Sequence, residues 1–379
     1  MHRIALDYTP ALKQTGGIGR YVRELTGAVS AIDSSNAYRL FVAGSSVSQL
    51  DEPPGENFAW APTRISERWL ARLWRRAGIR LPIEMFIGPV DLYHATDFVL
   101  PPTLSRTRTL LTVHDLSFVR VPSAASPALK AYLDAVVPNS VETADHILAD
   151  SEATKADLIE LYGTRENKIT VLYSGVNERF GRVDDTEELH RTRLKYGLAD
   201  FNYILSVGTV QPRKNYSRVV EALSTIRQSG QDLHYVIAGG VGWLEDELLR
   251  RIERSGMAEY VHLLGLVDDA DLPALYSGAR MLVMVSLYEG FGLPVLEAMA
   301  CGTPVVTSNL SSLPEVGGSA ALLVDPHDKA AVRQAILNLE TDDKTRERLV
   351  QAGYQRAKGF TWARAARQLK SIYDELLET

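Results

Sequence analysis

One cysteine, Cys301, is all the chain has in 379 residues, which rules out an internal disulfide framework and a zinc site built on several thiolates. Basic residues are not in excess either. Against 41 Lys and Arg stand 47 Asp and Glu, and the resulting net charge of −6 argues against general nucleic-acid binding. Nowhere do about 18 apolar residues run together, so no segment reads as a membrane-spanning helix. The opening MHRIALDY enters a strand-like pattern without the apolar core of a secretory signal. A cytoplasmic protein is expected. Two nucleotide motifs are missing as well. There is no G-x-x-x-x-G-K-[ST] loop, and TGGIGRYV after the first strand carries Val22 where G-x-G-x-x-G needs its third glycine. The second strand ends Val42-Ala43-Gly44-Ser45, with no acid to hold a ribose, which disfavours an NAD-type site.

What remains is an ordinary globular composition, 45% hydrophobic and 23% charged, in a chain long enough for two or three domains. Strand-like runs alternate with helical patterns in two series. The first is Ile4–Asp7, Arg39–Ala43, Leu92–Ala95, Thr109–Val113, His146–Ala149 and Ile169–Leu172. The second is Tyr203–Val207, Tyr235–Ala238, Val261–Leu264, Met281–Ser286, Val305–Thr307 and Leu322–Val324. That rhythm predicts two doubly wound parallel sheets in an α/β chain. Between the series, Ser174 to Gly197 is polar, lacks an apolar period and is the best linker. Domains are therefore expected over 1–175 and 200–360, with a final amphipathic helix in 361–379. Ligands of open α/β sheets sit beyond the carboxyl ends of the strands, so two such domains facing each other would put the site in a cleft.

The most informative stretch is Arg280 to Gly302, RMLVMVSLYEGFGLPVLEAMACG. An apolar strand leads into a turn with Gly290 and Gly292, then into a helix with Pro294 at its start and Gly302 at its end. Free N–H groups at such a turn, together with the positive end of the helix, suit a phosphate or a sugar hydroxyl. Glu289 and Glu297 flank it. Eight helical residues span about 12 Å, whereas paired glycosidase carboxylates stand about 5–9.5 Å apart, so two separate hydrogen-bonding roles fit better than a hydrolytic pair. The plain alternative for Glu297 is a first-turn acid that complements the helix dipole.

Two loops carry further candidates. Gly16, Gly17 and Gly19 let backbone N–H groups approach a diphosphate, or simply permit a tight turn. Arg213 and Lys214 follow the first strand of the second series, where fixed cations would stabilise a departing diphosphate, though adjacent basic residues on a loop are often only solvated.

Taken together, EGFGLPVLE with the following AMACGTPVV resembles the E-x7-E signature of retaining, nucleotide-sugar-dependent glycosyltransferases of the GT-B fold, in their large fourth sequence family. Other family landmarks recur in order: GGIGRY at Gly16–Tyr21, TVHD at Thr112–Asp115, SVGTVQPRKN at Ser206–Asn215 and LLGLVDDADLPALYSGAR at Leu263–Arg280. The resemblance spans essentially the whole chain. It implies two Rossmann-like domains facing a cleft, an N-terminal acceptor domain and a C-terminal donor domain, with the last helix packing back on the first. It further implies that His114 contacts the donor sugar, that Glu289 holds a sugar hydroxyl and that Glu297 accepts from the ribose hydroxyls. The backbone of Phe291, Gly292 and Leu293 would complete the sugar pocket, and main-chain contacts near Gly239–Gly240 and Leu266–Val267 would select the base. Asp97 and Asp115 are candidates for orienting or deprotonating the acceptor.

In this family retention is usually explained without an enzyme nucleophile, the leaving phosphate taking the acceptor's proton on the face it departs from. No metal and no further cofactor is expected, since Arg213 and Lys214 supply the positive charge. One departure stands out: Thr209, Val210 and Gln211 are uncharged where many members carry an earlier basic residue. The wording looks most like bacterial mannosyltransferases, which makes GDP-mannose the first expected donor and a UDP-hexose the second. The expected acceptor is a saccharide or lipid-linked saccharide of a surface polysaccharide or glycolipid. A same-fold epimerase or phosphorylase and a non-catalytic sugar-binding protein are the competing readings.

One region remains. Over Arg64–Leu81 a helical wheel puts Arg64, Arg68, Arg72, Arg75 and Arg76 on one side and Trp69, Leu70, Leu73, Trp74 and Ala77 on the other. That pattern fits a helix lying on an anionic membrane surface, and equally an ordinary amphipathic helix packed on the first sheet.

Overall fold

Short runs such as Leu92–Ala95 and Met281–Met284 are buried at every residue, the burial pattern of parallel strands covered on both faces. The computed structural model describes residues 1–76, 81–199, 201–240, 242 and 245–378. Within them the chain divides into two compact units, one of Met1–Leu116, Ala131–Gly175 and Trp362–Thr379, the other of Ser117–Lys130 and Val176–Thr361.

The first unit holds seven strands: β1 (Arg3–Asp7), β2 (Ala37–Ala43), β3 (Phe58–Thr63), β4 (Leu92–Ala95), β5 (Arg108–Val113), β6 (His146–Ala149) and β7 (Ile169–Val171). They pair in parallel in the order β3-β2-β1-β4-β5-β6-β7. The second unit holds β8 (Tyr203–Val207), β9 (His234–Ala238), β10 (Val261–Gly265), β11 (Met281–Met284), β12 (Val305–Ser308) and β13 (Ala321–Val324). Their order is β10-β9-β8-β11-β12-β13. Both sheets thus have Rossmann topology, and each reverses its strand order once, at β1/β4 and at β8/β11.

The last helix, Trp362–Glu378, belongs to the first unit and buries Trp362, Ala365, Leu369 and Tyr373. Its Tyr373 hydroxyl lies 2.8 Å from His94 Nδ1, and Gln368 donates to the Val171 carbonyl at 2.9 Å. These bonds tie the chain's end to strands β4 and β7.

Three sequence-based expectations change. Strand β3 was not anticipated, because FAWAPT contains Pro62. An edge strand tolerates a residue that cannot donate to a ladder, and β3 is the outermost strand of its sheet. The proposed linker Ser174–Gly197 contains the helix Thr186–Lys195. That helix has no strong apolar stripe because it is held from its ends. Asp185 caps it by accepting the Glu187 N–H at 2.9 Å, and Lys195 at its last turn reaches Asp268 and Asp271, each at 2.6 Å.

The arginine-rich segment forms the helix Glu67–Arg76, but its faces differ from the simple wheel. Leu70 is 2% exposed, whereas Trp69 is 62% exposed and carries the Arg72 guanidinium 4.9 Å from its ring centre. Trp74 is half-buried and donates its indole N–H to the Leu81 carbonyl at 2.9 Å. Trp69 therefore leaves the apolar side, being a quarter-turn from Leu70 and one turn from its cation partner. Ala77 lies outside the described residues. No described helix is long and apolar enough to cross a membrane.

If the Asp185 cap holds the helix Thr186–Lys195, Asp185→Ala will cost about 1 kcal/mol in denaturant unfolding, with an unchanged slope against denaturant.

Candidate functional site

The loops that leave β8 and β11 rise side by side, because those strands are hydrogen-bonded neighbours at the switch in strand order. After β8 the chain makes a single turn of 3-10 helix, Pro212–Lys214, and stops at Asn215 in the left-handed region, φ 58°. Asparagine tolerates that conformation, and its amide donates to the carbonyls of Val285 (3.1 Å) and Pro326 (2.9 Å). The turn that carries Arg213 and Lys214 is thereby pinned to the loop after β11. A second tie runs from the Leu287 N–H to the Arg213 carbonyl, 2.7 Å.

That second loop carries Glu289 and ends at Gly292, φ 118°, where a Cβ would stand 2.8 Å from Leu313 Cδ2. Only glycine fits there. Two serines that sequence reasoning missed grip the same turn. Ser311, itself at φ 50°, accepts the Glu289 N–H at 2.9 Å, and the Ser312 hydroxyl lies 2.9 Å from the Glu289 carbonyl and 2.7 Å from that of Phe291. Both follow β12 in a Ser-rich loop, TSNLSSLP, whose composition signals a turn and nothing more specific.

These loops bring Arg213, Lys214 and Glu289 into one ion cluster. Arg213 Nη1 is 2.5 Å from Glu289 Oε2, and Lys214 Nζ is 2.7 Å from Oε1. Glu289 is 5% exposed and Lys214 8%. Burial alone would raise the Glu289 carboxyl, but the Arg213 and Lys214 charges more than reverse this and hold it at about 2. The expected sugar-binding acid and the expected phosphate-binding cations are thus bound to one another. Arg213 also donates to the Tyr288 carbonyl at 3.0 Å.

Glu297 is 2% exposed, and the Tyr276 hydroxyl donates to its Oε2 at 2.7 Å. It is the fifth residue of the helix Leu293–Ala300, past the first turn, so complementing the helix dipole does not explain it. Phe291 is buried with its ring 5.9 Å from that of Phe360, so what it offers a ligand is backbone, and Leu293 opens the helix half-buried. Gly239 closes β9 where a Cβ would run into the Gly208 carbonyl, a packing reason for glycine. Val267 is half-buried beside the exposed Leu266, after β10.

In the first unit His114 follows β5. Its Nε2 lies 2.9 Å from the Thr96 carbonyl and its Nδ1 2.8 Å from Asp150 Oδ2. The carbonyl requires an N–H at Nε2, so the remaining proton lies between Nδ1 and Asp150. Burial would lower His114, yet the Asp150 carboxylate outweighs it and raises the imidazole to about 9. Both ring nitrogens are therefore engaged, and a sugar hydroxyl could bond to either only by opening one of these contacts.

Asp97 follows β4, accepts the Gln14 amide at 2.7 Å, and is raised by burial. Asp7, missed in the sequence, closes β1 across the switch point. Burial pushes it up to about 6, with Glu67 and Asp97 adding to the shift. Asp115 sits half-buried next to His114. Gly16 and Gly17 open the helix Gly17–Ser30 with nothing within 4 Å of where a Cβ would stand, while Gly19 is pressed against the Gln14 carbonyl. The first two leave room for an approaching group; the third is a packing glycine. His114 and the Glu289 cluster belong to different units. Among the described residues no three His, Cys, Asp or Glu converge as metal ligands.

Comparison with known proteins adds to this geometry. Residues 15–180 match the domain family described as Glycosyltransferase Family 4, and residues 191–356 the one described as Glycosyl transferases group 1. The O-antigen chain mannosyltransferase B of Escherichia coli is 33% identical over 369 residues, covering 94% of this chain and 95% of that protein. Among solved structures, sucrose-phosphate synthase from Thermosynechococcus elongatus shares the fold with a TM-score of 0.78 at 23% identity, all of both chains being covered. Anabaena HepE in complex with UDP-glucose does so with a TM-score of 0.74 at 17% identity, over 99% of this chain and 100% of that one.

The His114–Asp150 pair sets a pH dependence. A histidine raised on folding stabilises fully below its unfolded value near 6.5, and the contribution is lost as pH rises through about 9. Unfolding free energy should fall between those limits, and Asp150→Asn should flatten that slope and shift the His114 NMR titration downward. An unmoved titration contradicts the pairing.

Proposed function

Because the chain belongs to the glycosyltransferases, joining a Family 4 region to a group 1 region, we propose that it is a retaining hexosyltransferase drawing mannose from GDP-mannose. The acceptor is a saccharide or lipid-linked saccharide of a surface polysaccharide. The observation that carries this reading is the buried Arg213–Glu289–Lys214 cluster at the carboxyl ends of β8 and β11. The crevice at a switch point is where open α/β sheets take nucleotides.

In the reaction an acceptor hydroxyl bonds to the anomeric carbon, the bond from that carbon to the diphosphate oxygen breaks, and the acceptor's proton passes to the departing phosphate. Arg213 and Lys214 stabilise the charge that develops there, which fits transfer without a metal. Glu289 holds a hexose hydroxyl and Glu297 the ribose. The O-antigen relative supports mannose and a surface-polysaccharide acceptor. A UDP-hexose is the alternative donor. In the first unit, Asp97 and Asp7 at the β1/β4 switch suit the hydroxyl groups of a saccharide.

Thermal-shift measurements against a panel of nucleotide sugars test the donor directly. The true donor at 100 times its Kd should stabilise the protein by about 2.7 kcal/mol. Lys214→Ala should lower kcat by about 10²–10³ while the fold, read by circular dichroism, persists. Retention is read from the anomeric configuration of the product by NMR; an inverted product rejects it.

The helix Glu67–Arg76 fits an anionic membrane surface, since Arg64, Arg68 and Arg72 are exposed beside the exposed Ile65 and Trp69. Arg68→Ser with Arg72→Ser should release the chain from anionic liposomes and leave donor binding unchanged. Equal sedimentation of variant and parent with the liposomes rejects this placement.

A further inference from the structure

Two cations and one carboxylate, both carboxylate oxygens engaged, form a site that already neutralises much of its own charge. A diphosphate entering it competes with Glu289 for Arg213 and Lys214. The loser of that competition is then a carboxylate at 5% exposure, on a turn whose main chain Ser311 and Ser312 hold in place. A buried carboxylate stripped of its partners is costly unless something else donates to it.

Resting on the donor reading above, we infer that Glu289 is the internal counterion of Arg213 and Lys214 in the empty site. Donor entry is then an exchange, in which the diphosphate takes the cations and a hexose hydroxyl takes the released carboxylate.

The exchange has a consequence for selectivity. A nucleoside diphosphate, whose terminal phosphate titrates near pH 6, carries more negative charge than a sugar nucleotide, so bare cations would favour it. It has no hexose hydroxyl to give Glu289. Only the intact donor satisfies both halves of the exchange, and the spent nucleotide, once its hexose has gone, meets a carboxylate seeking its cations back. Glu289 in this way opposes product retention, a role separate from gripping the sugar. Ser311 and Ser312 are positioning residues for it, since they fix the turn from which the exchange is made.

Isothermal titration of the full chain with GDP, UDP, GDP-mannose and UDP-glucose, on the parent and on Glu289→Gln, tests this. Glutamine keeps the shape and a hydroxyl partner but removes the competing charge. The matching nucleoside diphosphate should bind the variant about tenfold tighter or more, while the sugar nucleotide changes less, so that the parent's preference for the intact donor shrinks. A second measurement needs only the parent. Saturating free mannose, or glucose for a UDP donor, should tighten nucleoside diphosphate binding several-fold.

If the variant binds the nucleoside diphosphate no tighter while both proteins bind the sugar nucleotide, the exchange is overturned and the donor reading stands. Absence of any hexose effect on the parent overturns it likewise. If neither protein binds any of the four nucleotides, the donor reading falls and takes the exchange with it.

Discussion

A carboxylate at 5% exposure stays ionised only where opposite charges or hydrogen-bond donors compensate its burial, and for Glu289 the charges are Arg213 and Lys214, one on each oxygen. Much of the second unit is arranged so that they meet. Asn215 accepts a left-handed backbone so that the turn before it ends in place, and it ties that turn to Val285 and Pro326. Gly292 accepts φ 118° so that the facing turn can fold beneath Leu313. Ser311 and Ser312 hold the main chain of that turn from the next loop along. Remove the ion cluster and these devices would stabilise two loops with no evident reason to be rigid.

The scaffold beneath is a consequence of parallel pairing. A parallel sheet with helices on both faces leaves its carboxyl ends as loops, and where strand order reverses, two neighbouring loops diverge and leave a crevice. The second unit fills that place with a cation–carboxylate cluster and the first with acids. Asp7 ends β1 and Asp97 follows β4, burial raises both, and His114 after β5 keeps a proton that Asp150 helps to hold. Two units of the same topology thus carry different groups at the switch point, two cations paired with a carboxylate in one and two raised acids in the other.

Much of this was legible in the residues. All twelve predicted strands lie within about two residues of those observed, for a physical reason: buried parallel strands are short apolar runs, and glycine, proline and polar clusters punctuate them. One of them, Met281–Ser286, ran two residues past the observed end into the loop that carries Glu289. What escaped had no such signature. Strand β3 carries a proline that only its edge position excuses, and the helix Thr186–Lys195 is held by a cap and by ion pairs instead of an apolar stripe. Trp69 lies a quarter-turn from the buried Leu70, at the edge of the apolar side, where its exposed ring meets the Arg72 guanidinium.

The order and spacing of Arg213, Lys214, Glu289 and Glu297 by themselves determined the local frame, in which a strand, a glycine turn and a helix start carry two cations and two acids, because those elements are local patterns. Only the tertiary structure decided which groups touch. It set Glu289 between the two cations, gave Glu297 to Tyr276 and His114 to Asp150, and brought in Ser311, Ser312 and Asp7. The reason is that a hydrogen bond or ion pair between distant residues depends on strand order and loop path, and those are settled by packing the whole sheet and not by any short segment of it.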